Sequence, residues 1–486
     1  MNGNDSLLSL EEILEAVNGV HVLGNSPLCI KSVQTDSRLV EKNTLFVPLI
    51  GENQDGHSYV PQAIEKGASV VFISMKNFED NGNYFVELHE KNPSVIFIAV
   101  ENTLEALQKS AARYVEKFPH LIKIGVTGSS GKTTTKEILV SILSQKYKVI
   151  SNKGNLNSET GLPLSVFNIR AEHECGVFEM GMNRENEIGE IASVLKPRFA
   201  VVTNIGTAHI GILGSRENIA KEKAKIFSYF GGFGTGVIPV DDEFSDFLKN
   251  EIDGKVVFYG NDTDSVKYIC DMGLKGTKFS IDGIETILPL PGKYNYKDAL
   301  GAIALAQVLG LSSRQISDGI SSLKPLSGRS EILDGKNFLI MQDCYNANPD
   351  SMEKAIEFIG SVKKEADAKK IFVLGDMLEL GSDSKSAHEK TGLLAVNSDV
   401  DLVIFIGTEM KAAFKKAKNS SEKNIIFIAG NSQDSMERAA SEIKKVLHGS
   451  LNSIIFIKGS RGMGLERISK ILLLETSDYG RIQIFS

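Results

Sequence analysis

An apolar run, LIKIGV, passes without interruption into Thr127-Gly128-Ser129-Ser130-Gly131-Lys132-Thr133 and then into a helix-compatible segment from Lys132 to Gln145. The glycines let the backbone turn tightly, so that successive N–H groups and a helix N-terminus face one anionic group. Lys132 adds charge there, and the Thr133 hydroxyl is an oxygen ligand suited to Mg²⁺. A strand that feeds a helix through such a loop belongs to a parallel α/β sheet. The spacing departs from the general phosphate-loop pattern, because Val126 stands five positions before Gly131, with Gly125 and Gly128 on either side of it. Two readings follow: a loop holding a nucleotide phosphate through Thr127, Gly128, Ser129, Ser130, Gly131, Lys132 and Thr133, or a Gly/Ser-rich turn with a solvated lysine.

The same alternation extends in both directions. At 486 residues the chain is long enough for roughly three domains at about 150 residues each. Residues 1–100 read as a small α/β unit, with LFVPL, QAIEKGA and VVFIS in succession. Residues 101–325 carry LIKIGV, GVFEM and FAVVTNI between helices at 132–145, 187–195 and 217–229, a mainly parallel sheet. Within them, 235–290 is richer in Gly and Asp and reads as an antiparallel appendage ahead of an Ala-rich helix at Asp298 to Leu309. After a linker around Pro325, residues 326–486 repeat strands (FLIMQD, IFVLG, LVIFIG, NIIFIA, SIIFIKG) between helices, the pattern of a Rossmann-like, doubly wound domain.

Composition narrows the partners. A net charge of −7 argues against nucleic acid or an anionic membrane surface, both of which need a basic face. No apolar run reaches the roughly 20 residues that span a bilayer, so stable membrane insertion is not expected. The start, MNGNDSLLSLEEILEAV, reads as an acidic amphipathic helix without signal-peptide character. Cys29, Cys175, Cys270 and Cys344 lie far apart in no metal-ligand or redox spacing. Reduced thiols in a cytoplasmic protein, monomeric for want of an interface signature, are the expectation.

Polar residues recur at strand ends. Glu179 follows GVF, Asn204 follows FAVVT, and His209 lies just beyond; in an open parallel sheet these ends converge on the phosphate loop. The segment Ile219 to Phe227 holds an anomaly. At about 100° per residue Ile219, Ala220, Ala224, Ile226 and Phe227 form one apolar face, and Lys223 falls near its centre while Lys221 and Lys225 point away. Either Lys223 snorkels, its stem covering apolar surface, or it is a desolvated amine of lowered pKa able to react or to pair with an anion.

TGSSGKTTTKE, NKGNLNSETGLP at 152–163, EMGMN at 179–183, TNIGTAHIGILGS at 203–215 and PGKYN at 291–295 resemble, in order, the motifs of the Mur ligases of bacterial cell-wall synthesis, whose own phosphate loop shows the same departure in spacing. DCYNANPDSM at 343–352, LGDMLELG at 374–381 and KGSRGMGLERI at 458–468 resemble the branch that adds D-alanyl-D-alanine to UDP-N-acetylmuramoyl-tripeptide, and the DNPR signature of the diaminopimelate-adding branch is absent. Tyr294 stands where the family usually has His, and Cys344 where Ala is common.

The resemblance implies an ATP-dependent ligase that phosphorylates a carboxylate and lets an amine displace phosphate, with catalytic roles for Lys132, Lys223 and His209. It implies Mg²⁺, as two ions, held by Thr133 and Glu179 and by His209 and a carbamylated Lys223. Asn295, Arg329 and Asp343 would join the phosphate loop in binding ATP. Residues 1–100 would hold the UDP-sugar, through Ser37 and Arg38 of TDSR and Asp55 and His57 of GENQDGH. Asn155 and Asn157, then Asn346 and Asn348, would contact substrate. Ser460 and Arg461 are further candidates, set against an ordinary turn with a solvated arginine. The rival readings are another Mur-type or folylpolyglutamate-type ligase and, in a different class, a phosphate-loop nucleotide switch or kinase.

Overall fold

The computed structural model describes residues 6–24, 29–51, 53–260, 263 and 265–474. The first five residues of the expected N-terminal helix, Glu52 of the GENQDGH motif and residues 475–486 lie outside them; the helix itself runs Leu10–Val17, closed at its start by a capping box from Ser9 and Glu12.

Three α/β sheets follow one another. The first has the order β1-β5-β4-β3-β2, built from β1 (Val20–Leu23), β2 (Ser32–Gln34), β3 (Thr44–Phe46), β4 (Ala68–Ser74) and β5 (Ile96–Val100), with only β1 antiparallel to its neighbour. The helix Thr103–Val115 leads on from it. The second sheet has the order β11-β10-β9-β6-β8-β7 and is parallel throughout: β6 (Ile122–Thr127), β7 (Val149–Ser151), β8 (Cys175–Glu179), β9 (Phe199–Val202), β10 (Gly234–Pro239) and β11 (Gly254–Tyr259). Its strands are nearly continuous apolar runs because helices cover both faces.

Four sequence expectations are corrected here. Residues 234–259 supply two parallel strands of the second sheet, and only β12 (Val266–Asp271), β13 (Thr277–Ile281) and β14 (Ile284–Leu288) form the antiparallel appendage. Glycines in GTGVIP hide a buried strand behind a loop-like composition. The helix expected from 217 to 229 is α-helical only over Arg216–Ala224 and tightens to a 3₁₀ turn at Lys225–Phe227, ahead of Gly231 and Gly232. The helix expected from Asp298 starts at Lys293, since Gly292 at φ 94° turns the backbone directly into it. The third sheet also gains an edge strand not expected from sequence, β15 (Glu331–Asp334).

That sheet has the order β15-β16-β20-β17-β18-β19, with β16 (Phe338–Asp343), β17 (Lys370–Gly375), β18 (Leu402–Ile406), β19 (Asn424–Ile428) and β20 (Ser453–Lys458) parallel and β15 antiparallel. In the second sheet the connections leaving the adjacent strands β6 and β9 run in opposite directions, and such a switch point opens a crevice at the carboxyl ends of strands; in the third, β20 inserts last between β16 and β17. Among the described residues no helix is long and apolar enough to cross a membrane.

Candidate active site

A cleft of about 1080 Å³ lies between the carboxyl ends of the second and third sheets. One wall is the loop after β6. The end of β9 holds this loop in place: Ser129 N donates to the Asn204 carbonyl at 3.0 Å, Ser130 N to Asn204 Oδ1 at 3.2 Å, and Asn204 Nδ2 back to the Ser130 carbonyl at 3.0 Å. Thr127 and Gly128 sit behind the lining, with the Thr127 hydroxyl donating to the Met180 carbonyl at 2.8 Å, so Thr127 fixes the loop's base. Gly131 opens the helix Lys132–Leu143 at φ 79°, and a Cβ there would collide with the Asp298 carboxylate.

Behind the loop two lysines meet one carbonyl. Lys132 Nζ and Lys223 Nζ both donate to the Gly128 carbonyl, each at 2.9 Å. Burial holds the Lys132 ammonium below its ordinary value, and burial followed by the charge of Lys132 drives Lys223, 1% exposed, well below. The wheel anomaly is thus a fully desolvated amine, and a snorkelling Lys223 is excluded. His209, at φ 65°, is pushed down to about 4 by burial and then by Lys132 and Lys223. It is therefore neutral at neutral pH, as a metal ligand must be. Its buried Nδ1 has no hydrogen-bond partner and lies 3.9 Å from Glu379 Oε2.

Glu179 ends β8 buried, accepting from the Thr133 hydroxyl at 2.6 Å and from Asn157 Nδ2 at 2.7 Å. Asn155 lines the same wall. These groups fit Mg²⁺: the Thr133–Glu179 pair offers oxygen ligands beside a phosphate loop. Mg²⁺ in such sites takes one or two carboxylates and completes its shell with phosphate and water. The orphaned His209 nitrogen, with two lysine amines on one carbonyl, fits an anionic group placed among them.

The opposite wall comes from the third sheet and the segment entering it. Asp343 ends β16 and accepts from Lys458 Nζ, at the end of β20, at 2.6 Å and from Ser330 N at 3.3 Å. The Arg329 guanidinium stacks on the Tyr345 ring at 4.0 Å. Asn295 is buried and donates to the Pro291 carbonyl at 2.8 Å, and Tyr294 Oη lies 3.1 Å from Ser330 Oγ. Asn346 and Asn348 line the cleft, the latter also capping the helix Pro349–Ser361 with Ser351. Arg461 lines it too, 3.4 Å from Glu466.

Ser460 does not line the cleft. Buried, it accepts from Leu378 N at 3.0 Å and donates to the Ala347 carbonyl at 3.4 Å, so direct contact gives way to support of two loops that do. The four N-terminal candidates are likewise outside it. Ser37 is buried and donates to Gln62 Oε1 at 2.7 Å, and Arg38 is exposed and paired with Asp36 at 2.7 Å. His57 is buried with both ring nitrogens engaged, Nδ1 with Asp55 at 2.6 Å and Nε2 accepting from Ser74 N at 3.0 Å, so its role is internal.

Sequence reading missed Asp298, Lys458 and Glu379. Asp298, whose carboxyl burial pushes up to about 7 against the pull of Lys354 and Lys132, lies one turn after Asn295 on the same helix. Lys458 was signalled by its place at a strand's carboxyl end, facing Asp343 in register. Glu379 carries no local signal beyond its place in LGDMLELG.

Comparison with known proteins agrees with this geometry. The profile described as "Mur ligase family, catalytic domain" matches residues 29–115, "Mur ligase middle domain" matches 126–306, and "Mur ligase, glutamate ligase domain" matches 328–461. The UDP-N-acetylmuramoyl-tripeptide–D-alanyl-D-alanine ligase of Treponema pallidum is 39% identical over 471 residues, covering 96% of this chain and all of that protein. The crystal structure of MurF from Acinetobacter baumannii superposes with a TM-score of 0.83 at 26% identity, covering 96% of this chain and 98% of that one. MurF from Thermotoga maritima in complex with ADP gives 0.74 at 26% identity, over 92% and 97%. With three profiles matched in order and a relative aligned almost end to end, the chain belongs to the Mur ligase family, and within it to the MurF type.

Proposed function

We propose that this protein joins D-alanyl-D-alanine to UDP-N-acetylmuramoyl-tripeptide at the expense of ATP, forming the pentapeptide precursor of peptidoglycan, ADP and phosphate. The observation that carries the reading is the convergence of Lys132 and Lys223 on the Gly128 carbonyl beside the Thr133–Glu179 pair. Lys132 there, with the Mg²⁺ that Thr133 and Glu179 would hold, supplies the positive charge that bringing ATP to an anionic carboxylate requires. The named activity of the Treponema pallidum relative and the ADP bound in the Thermotoga maritima structure support it.

In this reading Ser129 and Ser130, their N–H groups held by Asn204, shape the loop, the open helix N-terminus at Gly131, Lys132 and Thr133 presents N–H groups to the phosphates, and the Lys132 side chain follows the γ-phosphoryl group as it moves to the substrate carboxylate. Asn295, Arg329 and Asp343 hold the nucleoside side. The product is an acyl phosphate, and the dipeptide amine then attacks its carbonyl carbon, loses a proton and expels phosphate. A cleft closed between two sheets shields that intermediate from water. Thr133 and Glu179 would hold one Mg²⁺, and His209 with Lys223 a second; the ions would neutralise phosphate charge during transfer. A Lys223 amine held neutral by its surroundings is the form that captures CO₂, and the resulting carbamate, formed with release of a proton, would put an anion attracted to Lys132 where a protonated amine is repelled by it.

Residues 1–100 would hold the UDP-sugar, 101–325 the nucleotide, and 326–486 the incoming amine, with Asn155, Asn157, Asn346, Asn348 and Arg461 as contacts along the cleft. A reaction fed by ATP places the protein in the cytoplasm. The test is phosphate release from ATP and Mg²⁺ with the UDP-tripeptide, with and without the dipeptide, together with product mass. Release that needs both substrates, with a gain of one dipeptide less water, establishes the reading; release indifferent to both sinks it in favour of a nucleotide switch. Lys223→Ala is expected to be inactive and to recover in part with a small added carboxylate, and full activity without additive would remove the carbamate.

A further inference from the structure

One contact between the second and third sheets is unlike the rest. Asp350, in the first turn of the helix Pro349–Ser361, reaches across to the segment after β9, where its Oδ2 accepts from Thr207 N at 2.9 Å and from Thr207 Oγ1 at 3.1 Å. The neighbouring Gly206 N donates to Ser129 Oγ of the phosphate loop at 2.8 Å. No side chain fits between: a Cβ on Gly206 would collide with the Asp350 carboxylate on one side and come within 3.3 Å of Ser129 Cβ on the other. Two residues on, His209 faces Glu379 at 3.9 Å, and a Cβ on Gly211 would sit 3.6 Å from the Leu380 backbone. The third sheet therefore clasps the segment 206–211 at both ends, while the segment's inner side is bonded to the loop that holds phosphate.

We infer that Asp350 is a positioning residue that couples docking of the third domain to the phosphate loop, through Thr207, Gly206 and Ser129. The inference rests on the ligase reading for its readout. When the third domain docks, the Asp350 carboxylate fixes the Gly206–Thr207 turn, and with it Ser129 and His209. Undocked, the turn loses two hydrogen bonds to a charged acceptor, and the loop loses the support behind Ser129. Phosphoryl transfer is thereby confined to the closed form, in which water is excluded.

The test compares wild type with Asp350→Ala, Thr207→Val and the double variant. Two bonds to a carboxylate predict a fall in kcat for dipeptide addition of about ten- to a hundredfold for Asp350→Ala, with a smaller fall for Thr207→Val. The double variant is expected to be no worse than Asp350→Ala, since both changes break one contact. X-ray scattering should show wild type contracting with ATP analogue and UDP-tripeptide, and Asp350→Ala contracting less, while the melting temperatures of the free proteins agree. If Asp350→Ala does not fold, Asp350→Asn, which keeps the size and one acceptor, takes its place in the cycle. Turnover within twofold of wild type, or effects of the two single changes that multiply, overturns the inference. A wild type that adds no dipeptide defeats the ligase reading instead, and the scattering comparison still decides the clasp.

Discussion

Glu187 is fully buried at the start of its helix, accepting from the Asn183 and Glu159 backbone N–H groups, with the Glu159 carboxyl beside it. Burial, then Glu159, pushes Glu187 up to about 7, while the hydrogen bond with Glu187 holds Glu159 low. The pair shares one proton. Between pH 4.5, the ordinary value of Glu187, and about 7, the folded protein holds a proton that the unfolded chain has released, so stability falls as pH rises through that window and levels off above it. Glu187→Gln mimics the protonated side chain at every pH. Its stability relative to wild type is therefore expected to rise between pH 4.5 and 8, by roughly 3 kcal/mol at most. Urea unfolding at the two pH values checks this, and an equal difference at both would show that the proton is not shared. Nothing in ENEIGE marks the pairing, because Glu159 comes from a loop 28 positions earlier in the chain. Lys223 was legible for the opposite reason: its own helix supplies the apolar face that makes a charge there anomalous.

At the scale of elements, the helix Glu187–Leu195 has no cap of its own, since Asn186 sits at φ 66° without a capping side chain. Glu222, buried on the neighbouring helix, does this work instead, accepting from Asn186 N and Ile188 N, each at 2.9 Å, and pairing with Lys225 at 2.7 Å. A carboxylate at a helix N-terminus satisfies open N–H groups and opposes the helix dipole. Glu222→Ala leaves the buried Ile188 N–H unpaired and that of the exposed Asn186 to water, and is expected to cost about 1–3 kcal/mol in chemical unfolding. Glu222→Gln, which keeps one acceptor, should fall between; a cost below about 0.5 kcal/mol for Glu222→Ala, the level of a neutral surface change, would mean that water caps the helix instead. Elements with a dense apolar pattern, such as β6, β17 and β18, were legible as strands because burial on both faces demands continuous runs. Those that blurred were decided by backbone conformation or distant partners: the 3₁₀ turn at Lys225–Phe227, the helix opened by Gly292, and the two strands hidden among glycines. The late start read for the helix at 298 also concealed Asp298, which on the observed helix shares a face with Asn295.

The apolar cores divide the whole molecule unevenly. One cluster runs from Leu7 through Tyr114 and Phe167 to Ile252, so the first and second sheets share it, and another from Ile124 to Leu323 completes the second. The cores of the third sheet begin at Phe338, and among the described apolar residues before Leu323 only Leu274 and Tyr294 pack against them. The third sheet meets the second largely through polar contacts, namely Thr207 with Asp350, Tyr294 with Ser330 and His209 with Glu379. Interfaces of that kind permit relative motion, whereas a shared apolar core does not. Residues 1–323 should therefore behave as one body and the remainder as another, with the joint at 323–330. A chain ended after Leu323 is expected to unfold in one cooperative transition, keeping its shared core and the clusters on the outer faces of its two sheets, and to release no phosphate, having lost Arg329, Asp343 and the clasp at Asp350. Separate melting of residues 1–100 within that chain would contradict the shared core. Dipeptide addition by it would contradict a site built from two sheets, the arrangement that ties the chemistry to closure.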